Sequence, residues 1–215
     1  MRETVITTIL ENKVIAIVRS LAEDKIVPLA SALNDGGINM IEVTFNQADP
    51  ASFANTASAI HAINKQFGKK VLVGAGTVCT KEQLKLAADA GACYLISPNT
   101  NPELIAEVRK MNLVAIPGAL TPSECVAAHH AGADFVKLFP IGTLGPEYLK
   151  AICAPLSHIK FLGVGGINER NIREYITAGA VGFGIGGNLV NKDWVNAGEF
   201  DKITTLAKQY VEAVG

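Results

Sequence analysis

Short apolar runs alternate with longer stretches of helical periodicity along almost the whole chain. Val5, Ile6, Ile9 and Leu10 fall at helical spacing within Met1–Asn12 and predict an N-terminal helix. Val14-Ile15-Ala16-Ile17-Val18 is too short and too uniformly apolar for a helix, so it reads as a buried strand ending at Arg19-Ser20. A helix follows from about Asp24 to Leu33, closed by the turn signal Asp35-Gly36-Gly37. Met40–Phe45 predicts a second strand, Ala51–Phe67 a helix stopping at Gly68, and Val71–Val73 a third strand running into Gly74-Ala75-Gly76-Thr77.

The alternation continues. Lys81–Ala90 and Asn101–Lys110 read as helices; Tyr94–Ile96 and Val114–Ile116 read as strands ending at Ser97-Pro98-Asn99 and Pro117-Gly118. Thr121-Pro122 opens the next helix, with Glu124 three residues after Thr121 as in a capping box, and Ala131-Gly132 ends it. Ala133-Asp134-Phe135-Val136-Lys137-Leu138-Phe139-Pro140 is a strand with one lysine at its centre. Pro146–Ala154, Asn168–Ala178 and Trp194–Val214 are the last helices, and Phe161–Val164 and Val181–Ile185 the last strands.

Eight strands, each followed by a helix at short spacing, imply a parallel sheet. The expected fold class is α/β, a (β/α)8 TIM barrel with an N-terminal helix, built as one domain over residues 1–215. An open doubly wound sheet is the alternative. The barrel is preferred because polar and glycine-rich residues gather after nearly every strand, and in a barrel those ends share one mouth.

Composition narrows the partner. Net charge is −1, and no basic stripe suggests nucleic acid or an anionic membrane surface, so the expected partner is a small molecule. Cys79, Cys93, Cys125 and Cys153 are widely spaced, as in a reducing compartment and unlike a disulfide framework or zinc site. No stretch resembles a signal peptide or an uninterrupted membrane span, and the expected location is the cytoplasm. His61, His129, His130 and His158 lie away from the strand ends, so no metal is expected.

Chemistry concentrates in Lys137 and Glu42, which each interrupt an apolar strand. A lysine withdrawn from water loses proton affinity and becomes an amine able to attack a carbonyl. A carboxylate beside it is either a structural ion-pair partner for Lys137 or Arg19, or a proton shuttle. Arg19 offers a planar fork for a carboxylate or phosphate. Thr77 follows a glycine turn that lets backbone approach a ligand. Gly163-Val164-Gly165-Gly166 and Gly182-Phe183-Gly184-Ile185-Gly186-Gly187 close the last two strands, where barrels commonly bind phosphate.

These residues carry a resemblance. Glu42-Val43-Thr44, Gly74-Ala75-Gly76-Thr77-Val78, Ile96-Ser97-Pro98, Ile116-Pro117-Gly118, the lysine strand and Val164-Gly165-Gly166-Ile167 resemble, in order and spacing, the KDPG/KHG aldolases. These are 2-keto-3-deoxy-6-phosphogluconate aldolase and 4-hydroxy-2-oxoglutarate aldolase. The resemblance implies a cofactor-free homotrimer that cleaves a phosphorylated 2-keto-4-hydroxy acid to pyruvate and an aldehyde through a Schiff base on Lys137. Glu42 would move protons, and Arg19, Thr77, Pro98 and Phe139 would hold the pyruvate end. Gly165, Gly166, Gly186, Gly187 and Asn188 would hold the phosphate. Many members have arginine at Asn46 and threonine at Val164, so these two positions bear on whether the substrate is the gluco compound or its galacto epimer. A phosphosugar-binding barrel without catalysis is the more distant alternative.

Overall fold

The computed structural model describes residues 2–215. Helix α1 (Arg2–Asn12) precedes strands β1 (Val14–Arg19), β2 (Met40–Thr44), β3 (Leu72–Gly76), β4 (Tyr94–Ile96) and β5 (Val114–Ile116). The remaining strands are β6 (Gly118–Ala119), β7 (Val136–Leu138), β8 (Phe161–Val164) and β9 (Gly182–Ile185). All pairings are parallel, in the order β5-β4-β3-β2-β1-β9-β8-β7-β6. β5 and β6 are one path broken at Pro117, which has no N–H to donate. Its carbonyl still accepts from Lys137 N at 2.9 Å. One side of this path pairs with β4 and the other with β7, which closes the barrel.

Side chains alternate along each strand, and the alternation sorts them into two apolar bodies. Ala16, Val18, Ile41, Val43, Val73, Leu95 and Val136 face outward into the layer under the helices. Ile15, Met40, Tyr94, Val114, Phe135 and Leu162 face inward and meet Val5 and Ile9 of α1. The N-terminal helix therefore plugs the barrel at the strands' N-terminal end. Arg2 and Arg109 both pair with Asp134, whose side chain is 5% exposed, and Asp134 Oδ2 also accepts from Ala115 N at 3.0 Å. This anchor fastens the plug to the strand that carries the lysine.

Several boundaries differ from the sequence reading, the lysine strand among them, which spans only Val136–Leu138 of the expected Ala133–Pro140. The last predicted helix is two helices, Lys192–Ala197 and Phe200–Val214, because Gly198 caps the first in the left-handed conformation (φ +75°). The helix expected from Asn168 begins only at Ile172, since the Asn168 carboxamide accepts from Arg170 N and Asn171 N and holds a turn there. The third strand extends through Gly74 and Gly76, whose bare backbone pairs with β2.

Removing a partly buried carboxylate that serves two guanidinium groups leaves both charges without their partner. Asp134→Ala should lower unfolding free energy by on the order of 3 kcal/mol, measured by urea denaturation. An unchanged midpoint would show that α1 is held by apolar packing alone.

Candidate active site

Period two along β2 points Met40, Glu42 and Thr44 into the barrel, and the same alternation points Phe135 and then Lys137 inward. Met40 and Phe135 belong to the inner core, so Glu42 and Lys137 stand one step nearer the C-terminal mouth. Glu42 is 1% exposed and Lys137 3%. The two do not form an ion pair, nor does Glu42 pair with Arg19, and both Glu42 carboxyl oxygens lack any hydrogen-bond partner. The structural salt bridge considered from sequence is therefore absent.

Burial dominates the proton affinity of both groups. It raises the Glu42 pKa above its ordinary 4.5, against the opposing fields of Lys137 and Arg19. It lowers the Lys137 pKa below 10.5, against the field of Glu42 and with help from Arg19. Burial thus works against the charged form of each group. A neutral amine can add to a carbonyl, and a carboxyl can give and take protons.

A neighbour with no side chain makes room for Glu42. A Cβ built on Gly76 would collide with the Glu42 carboxyl, as one on Gly74 would with the Tyr94 ring. The Gly-Ala-Gly stretch thus serves these two side chains as well as the backbone turn.

Lys137 Nζ lies 4.9 Å from the centre of the Phe139 ring, which is 36% exposed and forms one wall of a cavity of about 240 Å³. Ile17, Val164 and Gly184 line the same cavity, where a Cβ on Gly184 would press on both neighbouring side chains at 3.0 Å. Arg19, expected at the pyruvate carboxylate, opens onto this cavity together with Gly165, Gly166, Gly186, Gly187 and Asn188. The structure thus brings Arg19 to the glycine loops.

Gly165 (φ +93°) and Gly166 (φ +76°) adopt left-handed backbone that other residues enter only with strain. No N–H of Gly166, Gly187 or Asn188 has a hydrogen-bond partner among the described residues. Free N–H groups in successive turns form a concavity for an anion. The Asn188 carboxamide instead donates to Ile167 O at 2.8 Å, tying the two glycine loops together. Its backbone N–H is the part left for a ligand.

Thr77 (φ +56°) stands at the end of β3, two strands from β1 on the side away from β9. Its carbonyl accepts from Gln47 Nε2 at 2.7 Å. Gln83, fully buried, braces the same loop by accepting from Cys79 N at 2.7 Å and Thr80 N at 3.2 Å. Cys79 lies within the field of Lys137, and burial raises its thiol pKa. Pro98 is exposed, its carbonyl packed so tightly on Gly118 that a Cβ there would clash. Asn46 is not in the glycine cavity; it lines a separate cleft with Ser20, Thr44 and Asp49.

Sequence reasoning missed Ile17, Gln47, Cys79 and Gln83. Thr80-x-x-Gln83 has capping-box spacing, which was the available signal for Gln83. Ile17 shares the inward parity of Arg19, while Gln47 carried no pattern at all. No three His, Cys, Asp or Glu side chains gather as metal ligands among the described residues, and no helix of those residues is long and apolar enough to cross a membrane.

Known proteins share this arrangement of chain. A probable 2-dehydro-3-deoxy-6-phosphogalactonate aldolase of Rhizobium meliloti (strain 1021) is 36% identical, covering 92% of each chain. A 2-dehydro-3-deoxy-phosphogluconate aldolase of Treponema pallidum (strain Nichols) is also 36% identical, covering 94% of each. The crystal structure of KDPG aldolase from Legionella pneumophila, with pyruvate captured at low pH as a covalent carbinolamine intermediate, superposes with a TM-score of 0.84. It is 30% identical, covering 94% of this chain and 96% of that one. The family model described as "Aldolase: KDPG and KHG aldolase" matches residues 5–206, and with a barrel that closes on a buried lysine and carboxyl, the chain belongs to that family of carbon–carbon lyases.

Proposed function

We propose that the protein cleaves 2-keto-3-deoxy-6-phosphogluconate to pyruvate and glyceraldehyde 3-phosphate through a Schiff base on Lys137, and that it also takes 4-hydroxy-2-oxoglutarate. The observation that carries this is the pair of buried, unpaired groups whose proton affinities are pushed in opposite directions. The neutral Lys137 amine adds to the C2 carbonyl, and the protonated Glu42 carboxyl gives the proton with which the carbinolamine hydroxyl leaves as water. The new iminium cation favours ionised Glu42. That carboxylate then takes the C4 hydroxyl proton while the C3–C4 electron pair moves into the iminium, releasing the aldehyde and leaving an enamine. Glu42 returns the proton to C3, and water hydrolyses the imine to pyruvate and free lysine. No metal is needed, because the iminium nitrogen is the electron sink.

The glycine loops hold the phosphate end. Arg19, expected at the pyruvate carboxylate, is assigned to the phosphate instead because it lines the cavity of those loops. Phe139 walls the pyruvate end beside Lys137, with Thr77 and Pro98 completing its mouth. Val164 presents only methyl groups to the carbons between. The galacto epimer is the second candidate substrate, and the relatives' names divide between the two compounds. The assembly inferred from the family resemblance is a homotrimer in the cytoplasm; light scattering reads the assembly directly.

Glu42→Gln should slow turnover by roughly 10²–10⁴-fold, the usual range for an acid–base group. Its thermal stability should hold, since no ion pair is lost. A stable variant with normal turnover would remove Glu42 from the proton path. When the two epimers compete in one assay, preference should stay within about tenfold, because Val164 forgoes one neutral hydrogen bond worth about 0.5–1.5 kcal/mol. Val164→Thr should move it toward the gluco compound. Wild-type discrimination of several orders of magnitude would assign it to another residue, and no turnover of either epimer would favour the binding-only reading.

A further inference from the structure

Arg19, Gly186 and Gly187 line two cavities rather than one. Besides the inner cavity described above, a second of about 270 Å³ adjoins the last glycine loop, where Val190, Lys192 and Asp193 join Arg19 in its lining. Two observations bear on what the shared wall is for. A Cβ built on Gly186 or Gly187 meets nothing within 4 Å, and neither glycine has a positive φ. Neither packing nor backbone conformation asks for glycine there, unlike at Gly165 and Gly166. What the two residues provide is bare backbone between two open spaces.

The segment beyond them is rigidly held. The Gly186 carbonyl accepts from Leu189 N at 2.9 Å and Val190 N at 2.8 Å. Leu189 and Val190 are buried, and Asn191 Oδ1 accepts from Asp193 N and Trp194 N. Lys192 is thereby placed at the outer cavity by a preformed frame. Lys85 lies on Asp89 and Lys202 on Glu199. Lys192 pairs with no described carboxylate, including its neighbour Asp193.

A phosphate monoester carries about −1.5 to −2 charges near pH 7, and Arg19 supplies one positive charge. The geometry points to Lys192 as a second cation for the substrate's phosphate, acting across the Gly186–Gly187 wall and setting preference for phosphorylated over unphosphorylated substrate. Asp193 works against it from the same cavity. This assignment rests on the aldolase reading above. Lys192 is exposed and remote from the bond that breaks, so its effect falls on KM and leaves kcat alone.

The test compares 2-keto-3-deoxy-6-phosphogluconate with the same compound lacking phosphate. Lys192→Gln should raise KM for the phosphorylated compound about three- to fivefold at low salt, with kcat unchanged. The increase should shrink as added salt shortens the range of the interaction. KM for the dephosphorylated compound should not move, Lys192→Arg should restore the wild-type value, and Asp193→Asn should lower KM for the phosphorylated compound. Equal KM in wild type and Lys192→Gln, or an equal rise for both compounds, would overturn the assignment while leaving the aldolase reading intact. A wild-type protein that turns over neither compound would instead remove the aldolase reading, and this assignment with it.

Discussion

Glu42 and Lys137 are almost fully removed from water, yet they form no ion pair with each other, and both Glu42 carboxyl oxygens lack a hydrogen-bond partner among the described residues. An isolated charge in such a place is strongly penalised, so each group drifts toward its neutral form and feels the other mainly as a field. A close salt bridge would satisfy both and disable both, since a tightly paired ammonium has no lone pair to offer. The separation that leaves the carboxyl oxygens without partners also leaves the amine free. Proteins commonly keep such unsatisfied groups where function requires them.

The surrounding residues are arranged to hold that separation. Glycine at 76 gives the carboxyl its space, and the plug formed by Val5, Ile9 and the inward strand residues fills the barrel beneath it. Further round the mouth the glycines answer a different need. Gly165 and Gly166 turn the chain with positive φ, and Gly166, Gly187 and Asn188 leave N–H groups without partners among the described residues. The site is therefore polarised along the barrel mouth. The buried ionisable groups stand on β2 and β7, and Arg19 and the glycine loops line a cavity at the ends of β1, β8 and β9.

Most of the barrel was legible because strand and helix periods alternate so regularly that each boundary carries its own turn signal. The lysine strand and Glu42 were legible because each sets an ionisable residue inside an apolar run, where burial shifts its proton affinity. The split of the last helix was signalled by Gly198 but masked by periodicity on both sides of it. The break at Pro117 looked like a strand's end, because one-dimensional pattern does not reveal that the same path pairs with two neighbours. Arg19 was the harder case. Its sequence position fixes that it faces the mouth, but only barrel closure, which sets β1 beside β9, brings it to the glycine loops. Gln47 reaches Thr77 across 30 residues of chain, and no local pattern announces such a contact.

Every step proposed for the site requires Lys137 to be a free amine held out of water in the barrel mouth. Reduction with borohydride in the presence of pyruvate, followed by peptide mass spectrometry across a pH series, tests this directly. One pyruvate-derived adduct is expected, on Lys137, with trapping half-maximal below the ordinary lysine value of 10.5. An adduct on another lysine, or no adduct while the protein still cleaves its substrate, would contradict it.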